Sequence, residues 1–124
     1  MDGVEQALTE AMGIDGALGA AIVDGDSGMA LGTRTGGALG IDPALAAACH
    51  TDVVRAARRA LDDTGLGRER VEDILTSLSG QYHLIRPLTR TGSVLFLSLV
   101  LDRTRANLAM ARHRLRLIDD RVVL

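Results

Sequence analysis

The sequence predicts a mixed α/β (α+β) fold whose elements follow in the order α-β-β-α-β-β-β-α. Two short runs, residues 17–23 and 94–101, are almost continuously apolar, as strands buried on both faces of a sheet are. Three longer segments repeat apolar residues at helical spacing. Turn residues, many of them glycine, separate these elements.

The N-terminal segment is predicted to form a short helix and a strand hairpin. The helix begins near Asp2 and ends at Gly13. Residues 17–23 and 29–33 are predicted strands on either side of the turn 24–28, and the second strand lies nearer an edge. The apolar face of the helix consists of Val4, Ala7, Leu8, Ala11 and Met12.

The central helix is predicted over residues 44–64, with Asp42 as its capping residue and Pro43 at its first position. Its apolar arc is wide and built from small side chains, which allow a close approach to a sheet, to a second copy of the helix, or to both. Thr51 is assigned to the opposite, polar arc. The apolar arc contains Ala46, Cys49, Val53, Val54, Ala56, Ala57, Ala60 and Leu61.

The C-terminal half is predicted to contain three strands and a helix. After Gly65, residues 71–78 form a strand candidate with alternating side chains, and residues 82–88 and 94–101 form a hairpin through the loop 89–92. Asp102 is expected to cap the last helix, with Asn107 inside it. The apolar face of this helix contains Leu108, Ala111, Leu115 and Ile118.

Composition and charge exclude several function classes. The 124 residues suffice for one domain, residues 1–124, and a net charge of −2 gives no field that attracts nucleic acid. Tyr82 and Phe96 are the only aromatic residues in the sequence, so base-stacking platforms are scarce. A single cysteine, no leader and no apolar run long enough to span a bilayer indicate a cytoplasmic protein without membrane insertion.

No motif predicts catalysis, a metal or a cofactor. Residues 24–28 lack the ligand spacing of a calcium loop, and the glycine-rich segment 32–40 lacks the end of a phosphate-binding loop, so both are interpreted as structural turns or loops. His50, His83 and His113 fall on different elements. Cys49 is expected to be a small core or interface residue. We therefore predict a non-enzymatic protein without a cofactor.

The segment Tyr-His-Leu-Ile-Arg-Pro-Leu at 82–88, the strand ending Leu-Asp-Arg at 101–103 and Ala-Asn-Leu-Ala-Met-Ala-Arg at 106–112 resemble the Roadblock/LC7 family, specifically its bacterial members. Arginine without lysine is typical of a GC-rich genome, such as that of an actinobacterium. The resemblance implies a profilin-like sandwich: a five-stranded antiparallel sheet with the first and last strands central, and helices on both faces.

The resemblance also implies a homodimer joined through the long helix and the strand after it. Carried over, the interface consists of Cys49, Val53, Ala56, Ala57, Ala60, Val71, Asp73, Leu75 and Ser77. It further implies regulation or scaffolding of a small Ras-like GTPase in signalling or polarity. A possible partner surface is formed by Arg105, Arg112 and Arg116, predicted to share one arc of the last helix. The alternatives are a small-molecule-sensing domain and a purely structural dimeric scaffold.

Overall fold

A computed structural model describes residues 2–36, 40–89 and 94–124. In this part of the chain, three helices and five strands follow in the predicted order. The elements are α1 (Asp2–Met12), β1 (Ala17–Asp24), β2 (Ala30–Thr35), α2 (Pro43–Asp63), β3 (Ile74–Ser77), β4 (Gln81–Pro87), β5 (Leu95–Asp102) and α3 (Leu108–Arg121).

The strands form one antiparallel sheet in the order β2-β1-β5-β4-β3. The first and last strands are neighbours inside the sheet, as the resemblance implied, and Ser98 at the middle of β5 lies between Ala21 of β1 and Ile85 of β4. Apolar side chains emerge from both faces of β1 and β5 because helices cover both faces of the sheet.

Helices α1 and α3 cover one face of the sheet and form the larger hydrophobic core with it. Leu8 of α1, Leu97 of β5 and Leu115 of α3 are almost fully buried there. Gly32 of β2 lies directly under α1: a Cβ atom at this position would be 2.8 Å from a methyl carbon of Val4. The glycine-rich segment 32–40 therefore begins inside a strand rather than in a loop, and its residues 37–39 lie outside the described part.

Helix α2 lies alone on the other face and is held by a smaller apolar cluster. Its buried residues are Ala47, His50, Thr51 and Val54. The assignment of Thr51 to the polar arc was wrong: its side chain is 1% exposed, and its hydroxyl donates to the carbonyl oxygen of Ala47. The cluster between the helix and the sheet contains Ala21, Val23, Ala47, Val54, Ile85 and Phe96.

The ends of several elements differ from the prediction. Helix α3 begins at Leu108 and is capped by Asn107, whose side chain accepts from the N–H of Met110. Asp102 was wrongly predicted as the cap: its carboxylate instead accepts from the N–H and hydroxyl of Thr104 in the turn before the helix. The predicted cap of α2 is confirmed, because Asp42 accepts from the N–H of Ala44. Most of the predicted hairpin loop 89–92 lies outside the described residues.

Candidate protein-interaction surface

The outer side of α2 is apolar and faces solvent. Leu45 is 63% exposed and Val53 is 36% exposed. Cys49 and Ala56 are exposed as well, so Cys49 is not a core residue. Helix α2 turns one narrow stripe toward the sheet, which leaves most of the predicted apolar arc without a partner in the described chain. We call this exposed side the α2 outer face: Leu45, Cys49, Val53, Ala56 and Ala60.

Strand β3 forms one edge of the sheet next to this face. Within the described residues it pairs with β4 alone, through Ile74 to Ser77, and its other edge is free of strand partners. The strand is four residues long, shorter than the predicted 71–78, so Val71 and Asp73 precede it. An unpaired edge offers backbone N–H and C=O groups to another strand.

The alternation predicted for this segment is confirmed, but it divides the predicted interface residues between environments. Leu75 packs against the core of α1 and α3, and Asp73 forms an ion pair with Arg112 of α3 at 3.1 Å. Ser77 accepts a hydrogen bond of 2.7 Å from Arg103. Of the predicted set, Ala57 and Val71 are half-buried, whereas the α2 residues Cys49, Val53, Ala56 and Ala60 share the exposed face.

The three arginines of the predicted partner surface do not share one helical arc. Arg105 lies in the turn before α3, because the helix begins only at Leu108. Arg112 is engaged by Asp73. Arg116 is exposed on α3. The predicted arginine stripe is therefore wrong as a continuous feature of the helix.

A groove of about 370 Å³ opens where the α2 outer face meets the sheet. Its walls are mostly apolar, and two imidazole rings close one side. The lining residues are Ile41, Asp42, Leu45, Ala46, Cys49, His50, Val53, Thr76 and His83.

The two imidazoles belong to a chain of four hydrogen-bonding side chains. His50 Nδ1 lies 2.6 Å from Ser98 Oγ, and His50 Nε2 lies 3.4 Å from His83 Nδ1. His83 Nε2 lies 2.8 Å from Gln81 Oε1. The ring centroids of the two histidines are 5.3 Å apart, with an interplanar angle of 70°.

The surroundings of both rings disfavour the charged imidazolium. Burial lowers the pKa of His50 below its ordinary value of 6.5, and the neighbouring His83 lowers it further. Burial also lowers the pKa of His83. Both rings are therefore predominantly neutral at neutral pH, when each imidazole has one donor and one acceptor nitrogen.

Sequence reasoning treated the histidines as separate and so missed this series of hydrogen bonds. They are 33 positions apart, and the strand register and the position of α2 bring them together. One signal was visible: Ser98 is the only polar residue in the apolar run 94–101. A buried hydroxyl needs a hydrogen-bond partner, and His50 is that partner.

The described residues contain no group of three or more histidine, cysteine, aspartate or glutamate side chains that could hold a metal ion. In the turn 24–28, the Asp24 carboxylate accepts from the N–H of Asp26 and the hydroxyl of Ser27. Gly28 adopts a positive φ of 78° there. These contacts support the interpretation of this segment as a structural turn.

No protein-family profile matches the chain, and no curated protein sequence matches it significantly. Several solved structures match it. A Roadblock/LC7 domain from Streptomyces avermitilis superposes with a TM-score of 0.75 at 15% identity, covering 93% of this chain and 90% of that one. The chain has the Roadblock/LC7 fold. At this identity, the likeness shows the fold alone.

Two further Roadblock/LC7-fold matches come from other bacteria. The gliding protein MglB from Thermus thermophilus has a TM-score of 0.71 at 19% identity, over 96% of this chain and 90% of that one. MglB from Myxococcus xanthus has a TM-score of 0.73 at 17% identity, over 96% of this chain and 87% of that one.

Among the described residues, no helix is long and apolar enough to cross a membrane.

Proposed function

We propose that this protein is a non-enzymatic, homodimeric interaction module that regulates or scaffolds a small Ras-like GTPase in bacterial signalling or polarity. The observation that carries the homodimer is that the α2 outer face shares a groove with Thr76 of β3, a strand whose other edge is unpaired in the described residues. The two features suit a second copy, because one offers apolar surface and the other offers unpaired backbone groups.

The α2 outer face supplies the apolar part of the proposed interface. Leu45 is mostly exposed and Val53 partly exposed, and removing apolar surface from water stabilises an interface by roughly 25 cal/mol per Å². Ala56 and Ala60 on the same face are small enough to allow two α2 helices to approach closely.

The edge of β3 supplies backbone hydrogen bonds, which fix the direction in which a second copy can bind. A second β3 lying antiparallel to the first would join two five-stranded sheets into one. In such an arrangement Asp73 and Leu75 contribute through their backbone, since their side chains lie on the α1 and α3 side of the sheet.

The GTPase partner is what the resemblance in the sequence implies, and the fold shared with MglB, a gliding protein in Thermus thermophilus, supports the role in polarity. A regulator of this kind repositions the GTPase's own catalytic residues by contact and needs no catalytic group of its own.

The homodimer is tested by sedimentation velocity at pH 8 with the wild type and the variant Ala56→Glu. We expect a wild-type dimer and a monomeric or aggregated variant, because the substitution buries a charge in the interface. Ala109→Glu, which changes an exposed alanine of α3 in the same way, is the matched control and should remain dimeric. A wild-type monomer, or an unchanged Ala56→Glu dimer, would contradict the proposal.

The GTPase partner is tested by affinity capture from a lysate of the source cells, in parallel with GDP and with a non-hydrolysable GTP analogue. We expect mass spectrometry to find one small Ras-like GTPase enriched in one nucleotide state. Recovery of the bait protein alone in both states would refute the GTPase assignment while leaving the homodimer intact.

The groove beside α2 supports a second candidate function, sensing of a small molecule. Its volume of about 370 Å³ lies at the lower end of the range of ligand pockets, roughly 300–1,000 Å³. A metabolite that raises the melting temperature of the monomeric Ala56→Glu variant would favour this function. No such shift across a metabolite library would exclude it in favour of the dimer.

A further inference from the structure

Four side chains beside the α2 outer face, Ser98, His50, His83 and Gln81, form a continuous series of hydrogen bonds when both imidazoles are neutral. The Ser98 hydroxyl then donates to His50 Nδ1, His50 Nε2–H donates to His83 Nδ1, and His83 Nε2–H donates to Gln81 Oε1. Each ring uses one nitrogen as donor and the other as acceptor.

Protonation removes this arrangement. A doubly protonated pair would place two N–H groups against each other across the 3.4 Å between His50 Nε2 and His83 Nδ1. Two positive charges at this distance repel each other strongly, because the surroundings are partly buried. A protonated His50 can no longer accept from the Ser98 hydroxyl at Nδ1, so this hydroxyl has to accept from that nitrogen instead of donating to it.

The pair lies in the surface that the proposed dimer covers. His50 and His83 line the same groove as Cys49 and Val53 of the α2 outer face. A second copy seated on that face would close the groove and remove water from both rings. Desolvation penalises the charged form of histidine, so the dimer would bind fewer protons than two separated copies.

The other ionisable groups around the pair come from several elements of the fold. Asp42, the cap of α2, and Cys49 within α2 line the groove with the histidines. Asp102 of β5 lies across from Gln81, and its carboxylate accepts from Thr104. On the far side of Ser98, Arg34 of β2 is paired with Glu5 of α1. From β3, the lining residue is the uncharged Thr76.

We propose that the His50–His83 pair makes homodimer formation pH-dependent, so that the dimer is stable when both rings are neutral and dissociates when they become protonated. This inference rests on the proposed homodimer. The effect has a definite sign: a dimer that binds fewer protons than its separated subunits weakens as pH falls through the histidine range. If one ring per subunit must lose a proton, the dissociation constant rises by at most about a hundredfold per pH unit, tenfold for each subunit.

The test measures the dimer dissociation constant between pH 8 and pH 5.5 by sedimentation velocity. Three proteins are compared: the wild type, His83→Gln, and the control His113→Gln, which changes an exposed histidine on α3. Glutamine keeps a donor and an acceptor but does not titrate. We expect the dissociation constant of the wild type and of His113→Gln to rise at least tenfold, and that of His83→Gln, in which only His50 still titrates, to rise by a smaller factor.

A second measurement tests the proposal without the His83→Gln variant, in case that variant misfolds. NMR titration of the histidine ring protons should give a lower pKa for His83 in the wild-type dimer than in monomeric Ala56→Glu. A dimer whose dissociation constant is the same at pH 8 and pH 5.5, or equal histidine pKa values in dimer and monomer, would overturn the pH inference alone. A wild-type monomer at pH 8 would overturn the homodimer and this inference with it.

Discussion

Arg86 of β4 and Asp119 of α3 form an ion pair in the core between the sheet and the helix. The Arg86 Nε and Nη2 atoms each lie 3.1 Å from Asp119 Oδ2, and the Asp119 side chain is 0% exposed. The other carboxylate oxygen accepts from the N–H of Thr89 at 2.9 Å. One carboxylate thus joins α3 to the end of β4, where the chain leaves the sheet.

Asp119→Asn is expected to lower the free energy of unfolding by about 3–5 kcal/mol, because it leaves the buried Arg86 guanidinium without a counter-charge. Urea unfolding monitored by circular dichroism measures the change. The double variant Arg86→Met/Asp119→Leu removes both charges and should lose less stability than the single variant. A double variant less stable than the single one would contradict this explanation.

Asn107→Ala is expected to destabilise the protein by about 1 kcal/mol, since its side chain accepts the N–H of Met110 at the first turn of α3. Asn107→Asp keeps the acceptor and should retain the stability of the wild type. Both variants are compared by thermal unfolding. Equal melting temperatures for Asn107→Ala and the wild type would show that the cap contributes nothing.

Gly32→Val is expected to cost about 1–3 kcal/mol, because the added atoms would enter the space held by Val4 and Leu8 of α1. The neighbouring Thr33 is exposed, so Thr33→Val serves as the control and should change stability by no more than about 0.5 kcal/mol. Urea unfolding of the two variants separates close packing from a general effect of β-branched residues in β2.

The free energy of unfolding of the monomer is expected to decrease as the pH is lowered, independently of dimer formation. The pKa values of His50 and His83 are lowered on folding, so the unfolded chain binds more protons as pH falls through the ordinary histidine value of 6.5. Their stabilising contribution is complete above that pH and is lost below it. Urea unfolding of Ala56→Glu between pH 8 and pH 5 measures this loss, and adding His83→Gln should reduce it. If adding His83→Gln left the pH dependence unchanged, the contribution assigned to the two histidines would be contradicted.

The element order could be predicted from the sequence because it follows from local patterns. Residues 17–23 and 94–101 are apolar without clear alternation, and this pattern predicted strands covered on both faces. The cap at Asp42 needed only the chemistry of one side chain before a proline. The cap of α3 was misplaced because Asp102 and Asn107 are both good capping residues, and the turn at Thr104 uses the first.

Sequence alone therefore determined the succession of helices and strands, the two central strands and the wide apolar arc of α2. The tertiary structure decided which part of that arc is buried: Thr51 faces the sheet while Val53 and Ala56 face solvent, because one helix on a flat surface can bury only a narrow stripe. It also decided that His50 meets His83 and that Arg86 meets Asp119. Such contacts join residues far apart in the chain, and their geometry is set by strand register and helix packing, which no local pattern contains.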